Sequence, residues 1–348
     1  MKKSLLIILA AAILIAIGGG NMIYKIYWQK PAASAPVVLF EVGDGEQLGH
    51  VINRLQEQKL LKDVWLFKQY LKITKLDTKI LAGIVEVKEG LSLRALAGAL
   101  TDAALAEKII KLQEGWNLSD YGRYLEYNGL AMAEELHELA GFPAVDYRNN
   151  KEMPAPKDFS NRFDFLNDKP KHVGLEGYLF PDTYRIGKQA KIEEVVIKLL
   201  ENFGKKLTSE LRAEITRQKK SIFEIVTMAS LIEAEAKTKS DRRLVSDILW
   251  RRLDIGMALQ LDSTVNYVTG AKKPAISLEE QKTESPYNTY KYPSLPLGPI
   301  ANPGAQSILA AIYPEKNDYW FFLSDKAGAM YYAKNLKEHN ENKTKYLH

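Results

Sequence analysis

The feature that most limits the fold is a short pattern that occurs three times in the N-terminal half of the chain. It reads acidic residue, glycine, two variable positions, leucine, two variable positions, large hydrophobe. Asp44-Gly45 leads to Leu48 and Val51, Glu89-Gly90 to Leu93 and Leu96, and Glu114-Gly115 to Leu118 and Tyr121. Each copy follows a short run rich in Val, Ile or Leu. This spacing favours a strand, a tight turn that glycine permits, and a helix whose i, i+3 residues pack back on the strand. Val37–Val42 reads as the first such strand, and a further helix is expected over 64–73.

Upstream, Met1-Lys2-Lys3 precedes an apolar run over 5–24 in which Asn21 is the one strongly polar residue. About 20 such residues just span a bilayer. The small residues Gly18-Gly19-Gly20 would also suit a cleaved signal peptide. Apolar character resumes at Met22-Ile23-Tyr24, which favours a retained anchor with Tyr24, Tyr27 and Trp28 as an interfacial belt. The expected layout has a cytoplasmic tip and membrane anchor over 1–28, then a Pro/Ala/Ser linker over 29–36. A small strand-turn-helix subdomain follows over 37–105, and a larger α+β body over 106–348.

Within that body, 141–174 is polar and turn-rich with prolines at 143, 154, 156 and 170. It reads as a long loop or insert placed to cover a cleft. Helical patterns occupy 192–203, 221–236, 241–253 and 304–312. A hairpin joins 319–324 to 330–333, and the tail is polar and helix-prone. The basic run 217–220 reads as a solvated loop.

The chain has no cysteine, which removes disulfides, thiolate nucleophiles and cysteine-ligated zinc. None of its five histidines forms an i, i+4 pair, and neither a phosphate-binding loop nor a Gly-x-Ser-x-Gly elbow is present. No metal or cofactor is expected. A net charge of +5 is too weak and scattered to argue for nucleic acid. Carboxylate chemistry remains.

On a helical wheel of 221–236, Ile222, Val226, Ala229 and Glu233 fall within about 60° of one another. Glu224 and Glu235 project to the other side, as solvent-face residues. A glutamate in an apolar stripe has two readings. Desolvation raises its pKa and makes it a general acid, or it forms a buried ion pair with Arg242, Arg243 or Arg251 of the next helix. Downstream, Gln260, Asp262, Thr264 and Asn266 come in quick succession, and polar groups alternate with tyrosines from Glu284 to Tyr290. Such a mixture suits sugar, through ring stacking and hydroxyl bonding, and also suits an ordinary polar loop.

Several blocks together resemble the YceG-like endolytic murein transglycosylases. They are Leu175-Glu176-Gly177-Tyr178-Leu179-Phe180-Pro181-Asp182-Thr183, Ala229-Ser230-Leu231-Ile232-Glu233-Ala234-Glu235, the stretch from Arg252 to Tyr267, Ser285-Pro286-Tyr287-Asn288-Thr289-Tyr290, and Leu295 to Gly304. The resemblance covers nearly the whole chain. It departs at Ala234-Glu235-Ala236, where the family often has Lys-Glu-Thr, and at Asp262-Ser263-Thr264, where it usually has Asp-Pro-Thr.

The resemblance implies an α+β catalytic domain behind a LysM-like subdomain. It implies a single-pass protein of the cell inner membrane, with its N-terminus in the cytoplasm and its body in the periplasm. Its substrate would be peptidoglycan glycan strands, and peptidoglycan synthases would be its partners. It puts the family's catalytic glutamate on Glu233. Gln260, Asp262, Thr264, Tyr287, Asn288 and Tyr290 are the candidate substrate contacts. The implied reaction is a lyase-type cut of the MurNAc–GlcNAc β-1,4 bond that leaves a 1,6-anhydro ring. Two alternatives stay open: a hydrolase using Glu233 and Asp262, and a non-catalytic glycan-binding anchor.

Overall fold

The computed structural model describes residues 2–43, 45–102, 107–187 and 189–347, and for residues 2–8 and 10–12 the backbone alone. The chain divides into two compact units, one of Met1–Ile110 with Tyr184–Ala190, the other of Lys111–Thr183 with Lys191–His348. Helices and antiparallel strands are mixed throughout, as the α+β expectation requires.

The first unit opens with α1 (Lys2–Ile23), which passes into a π-helical turn over Tyr24–Trp28. Then come β1 (Val37–Val42), α2 (Leu48–Glu57), α3 (Val64–Thr74), β2 (Gly83–Lys88), α4 (Leu93–Thr101) and β3 (Glu107–Lys111), with β4 (Thr183–Gly187) supplied from far along the chain. The sheet order is β1-β2-β3-β4. β1 and β2 pair antiparallel from Val37↔Lys88 to Val42↔Gly83. Alternation along β1 turns Phe40 and Val42 inward, where they meet Val51, Ile52 and Leu55 of α2, Phe67 and Leu71 of α3, and Leu96 and Leu100 of α4. Asp63 and Ser92 cap α3 and α4 by accepting backbone N–H groups.

Each glycine of the repeated pattern sits at positive φ between a strand and a helix: Gly45 at 71°, Gly90 at 86° and Gly115 at 79°. Asp44, the acidic member of the first copy, lies outside the described residues, and so does the expected boundary at 105/106. Among the described residues no helix is long and apolar enough to cross a membrane. Within the run 5–24 expected to span one, the side chains of residues 5–8 and 10–12 lie outside the described set.

The second unit is built on helices: α5 (Leu118–Tyr127), α6 (Ala133–Ala140), α7 (Ile192–Lys206), α8 (Ser209–Arg217), α9 (Ile222–Glu235), α10 (Lys239–Asp254), α11 (Asp262–Thr269), α12 (Ala305–Ile312) and α13 (Leu336–Tyr346), with the hairpin β5 (Phe321–Ser324) and β6 (Met330–Ala333). α9 is the central rod. Its eight consecutive residues from Ile225 to Ile232 are all buried, and α8, α10, α11 and α12 pack around it. Ser221 and Glu224 form a capping box at its start, and Asp168 accepts from Ile222 N at 2.5 Å.

Two expectations change here. The segment 141–174 has a single 3₁₀ turn, Asp164–Leu166, yet it is packed rather than draped. Phe159, Phe163, Phe165, Leu166 and Val173 are buried, and the Phe165 ring lies 5.0 Å from that of Phe203 on α7. A few large apolar side chains outweigh a polar average, because burial free energy follows apolar area. The basic run 217–220 is not a simple solvated loop either. Arg217 ends α8, and the Lys220 ammonium lies 3.4 Å from the Trp250 ring centre.

Candidate active site

A buried knot sets the frame of the site. Glu176, 2% exposed, accepts from Leu118 N at 3.0 Å, Tyr267 OH at 3.1 Å and Asn302 Nδ2 at 3.0 Å. Asn302 Oδ1 accepts from Gly177 N and Leu179 N at 3.0 and 3.1 Å. Three distant stretches of chain and α11 are thereby tied together. Gly177 takes φ 87°, and a Cβ there would come within 2.7 Å of Pro299 and Val226. Burial pushes the Glu176 carboxyl up to about 8, despite the donors around it.

Glu233 adopts the ion-pair arrangement. Its Oε1 meets Arg242 Nη2 at 2.5 Å and its Oε2 accepts from Gly304 N at 2.9 Å. The two side chains are only 5% and 11% exposed. Arg242 also donates through Nε to Ala236 O at 3.0 Å. Glu233 is therefore buried, as its place in the apolar stripe predicts, and both carboxylate oxygens are satisfied. It fastens the end of α9 to α10 and to the start of α12.

Glu235, expected on a solvent face, stands in a groove instead. The wheel assigns faces on the premise that one side of the helix meets water, and α9 is buried all round. Its last residue therefore faces whatever covers its end. Ser263, in the first turn of α11, donates to Glu235 Oε1 at 2.7 Å. Glu235, Arg252, Gln260, Asp262 and Tyr290 line a hollow of about 670 Å³ whose far wall includes Phe321 and Phe322 of the hairpin. A smaller hollow of about 320 Å³ adjoins it at Ala234, Ser263 and Asn266.

The residue keeps some exposed surface while protein encloses its carboxyl group. Burial pushes that carboxyl up to about 7, Asp262 adds to the rise, and Ser263 and Arg252 oppose it. The negative end of the α9 dipole works in the same direction as burial. Arg252 is fixed beneath, donating to Leu259 O at 2.7 Å and to Trp320 O at 2.6 Å.

The sequence-predicted contacts divide. Gln260 is exposed in the groove with φ 54°, anchored by its N–H to Thr289 O at 3.1 Å. Asp262 and Tyr290 face each other, with the tyrosine OH donating to Asp262 Oδ1 at 2.5 Å. Asp262 Oδ2 accepts from Ile276 N at 3.4 Å.

The other three do not reach the groove. Thr264 is fully buried and bonds Leu261 O and the Thr289 hydroxyl. Asn288, 1% exposed, uses its amide on Gln281 O, Thr283 O and Tyr290 N. Tyr287 is buried with its ring 5.2 Å from Tyr267. They shape the loop because a buried polar group must find partners, and the nearest partners are backbone. Sequence reasoning did not place Glu235 or Ser263 in the groove. The one signal for Glu235 was its place as a second acid at the end of a run with no polar face.

A family model described as the YceG-like family matches residues 40–345. An endolytic murein transglycosylase of Bacillus subtilis (strain 168) is 31% identical over 332 residues, 94% of this chain and 91% of that protein. The endolytic murein transglycosylase of Streptococcus pneumoniae serotype 2 is 33% identical over 188 residues, 52% of this chain and 34% of that longer protein. Among solved structures, the crystal structure of a yceG-like protein from Listeria monocytogenes aligns with a TM-score of 0.58 at 29% identity, covering 88% of this chain and 98% of that one.

Proposed function

The chain belongs to the YceG-like family, and we propose that it is a peptidoglycan lytic transglycosylase whose acid and base are one carboxyl group, that of Glu235. The observation that carries this reading is an enclosed carboxyl, pushed up to about 7, in the wall of a groove whose Ser263 also lines a second, smaller hollow. Such a group holds a proton near neutral pH and releases it readily.

In the first step the Glu235 carboxylic acid gives its proton to the glycosidic oxygen while the C1–O bond of muramic acid breaks with oxocarbenium character. In the second, the muramic C6 hydroxyl forms a new bond to C1, and its proton passes to the Glu235 carboxylate. A 1,6-anhydro ring results and the acid is restored. The nucleophile belongs to the substrate, so proximity is built in. Asp262 is occupied by Tyr290 and Ile276 N. That supports a single working carboxyl over the pair that a hydrolase needs. Gln260, Arg252 and the Asp262–Tyr290 pair orient the sugars.

The remaining expectations extend this reading. The apolar run 5–24 anchors the chain in the cytoplasmic membrane with the body on the periplasmic side. Its described side chains Leu9, Ile13, Leu14, Ile15 and Ile17 are exposed, as lipid contact requires. The first unit is LysM-like and holds the strand. Cutting beside peptidoglycan synthases would trim nascent strands. Mass spectrometry of ends released from purified sacculi tests the chemistry: anhydro ends are expected, and free reducing ends would replace the lyase with a hydrolase.

A further inference from the structure

The groove and the smaller hollow share Ala234, Ser263 and Asn266 in their walls. Beyond these residues, the smaller hollow includes Trp116, Asp120, Arg123 and Lys272 in its wall. Trp116 is half-buried and firmly held. Its carbonyl accepts from Asn302 N at 2.9 Å and from Asn302 Nδ2 at 3.1 Å, and its ring lies 5.3 Å from that of Tyr124. It is a rigid aromatic surface of the kind on which a sugar ring packs.

Around it the charges do not cancel. Arg123 Nη2 and Lys272 Nζ donate to the same oxygen of Asp120, each at 2.7 Å. Their side chains are 66% and 69% exposed, while that of Asp120 is 11% exposed. One carboxylate balances one of two cations, so the cluster keeps a net positive charge. Each cation also has further N–H groups beyond the one that Asp120 accepts. Sugar hydroxyls and acetamide carbonyls can accept from such a cluster but leave its charge unbalanced. The acidic groups of a peptidoglycan strand are the carboxylates of its peptide side chains.

We propose that this hollow is a subsite for a peptide-bearing sugar, with Arg123 and Lys272 receiving a carboxylate of the peptide. The proposal rests on the glycan-cutting reading and deepens it, since a cut within a strand requires sugars on both sides of Glu235.

The test uses the full chain carrying Glu235→Gln, which binds without cutting. Its affinity is measured for soluble glycan oligomers with intact peptides and for the same oligomers with their peptide carboxylates converted to primary amides. About tenfold tighter binding of the oligomers with free peptide carboxylates is expected, and the preference should shrink as ionic strength rises. In the triple variant Glu235→Gln, Arg123→Ala, Lys272→Ala, the ratio of the two affinities should fall to about one. Equal affinities before the cations are removed, or an undiminished ratio afterwards, would overturn the proposal. Cutting of the amidated strands by the unaltered protein is assayed in parallel. A failure there would count against the glycan-cutting reading and leave the affinity ratio to judge the subsite.

Discussion

At the residue scale, two glutamates one position apart in the last turn of α9 have been given different tasks by their neighbours. Glu233 is a structural partner, spent on Arg242 and Gly304 N. Removing one member of a buried ion pair leaves the other charge uncompensated, so Glu233→Ala should cost about 3–5 kcal/mol in chemical denaturation. Glu235 is a carboxyl that gains nothing from so full a set of partners, and Glu235→Gln should leave the melting temperature close to that of the parent.

The pH profile should report Glu235 directly. Because the reaction begins with its protonated form, kcat/KM should fall as pH rises past about 7. Ser263 donates to the ionised form and holds the value down. Ser263→Ala should therefore move the falling limb to higher pH. A limb that moves down, or stays in place, would remove Ser263 from this role.

Much was legible in the sequence at the level of elements, and the reasons are local. Alternation in Val37–Val42 and the acidic-Gly-x-x-Leu spacing fix strands, turns and helices through geometry that neighbouring residues control. What could not be read was which way α9 faces, because a helix buried on every side carries no periodic signal. That is why Glu235 was assigned to solvent. The roles of Thr264, Tyr287 and Asn288 were hidden for a related reason, since composition marks a polar loop without saying which polar groups turn inward.

The knot around Glu176 makes a prediction at this scale. Its native carboxyl is raised to about 8, so between the ordinary glutamate range and pH 8 the folded chain binds more protons than the unfolded one. Stability then falls as pH rises through that window. Thermal unfolding from pH 5 to 8 should show a declining midpoint in the parent and a flatter one in Glu176→Gln. Glu235, raised in the same sense, leaves a residual slope.

At the scale of the whole molecule, the second unit alone contains the groove, Glu235 and both hollows. The strand-turn-helix unit and the N-terminal run would bring it to a strand near a membrane. Deleting 2–28 should lower the cutting of membrane-proximal nascent strands while leaving the rate on isolated soluble strands within about twofold, since the groove belongs to the second unit.

The most direct test compares Glu235→Gln with Glu233→Gln in the otherwise unaltered protein. Each is shown to be folded by circular dichroism, and 1,6-anhydro ends released from purified sacculi are counted by mass spectrometry. Glu235→Gln should lose about 10²- to 10⁴-fold in rate, while Glu233→Gln keeps measurable cutting in proportion to its folded fraction. An active Glu235→Gln protein beside a folded but silent Glu233→Gln protein would contradict the account.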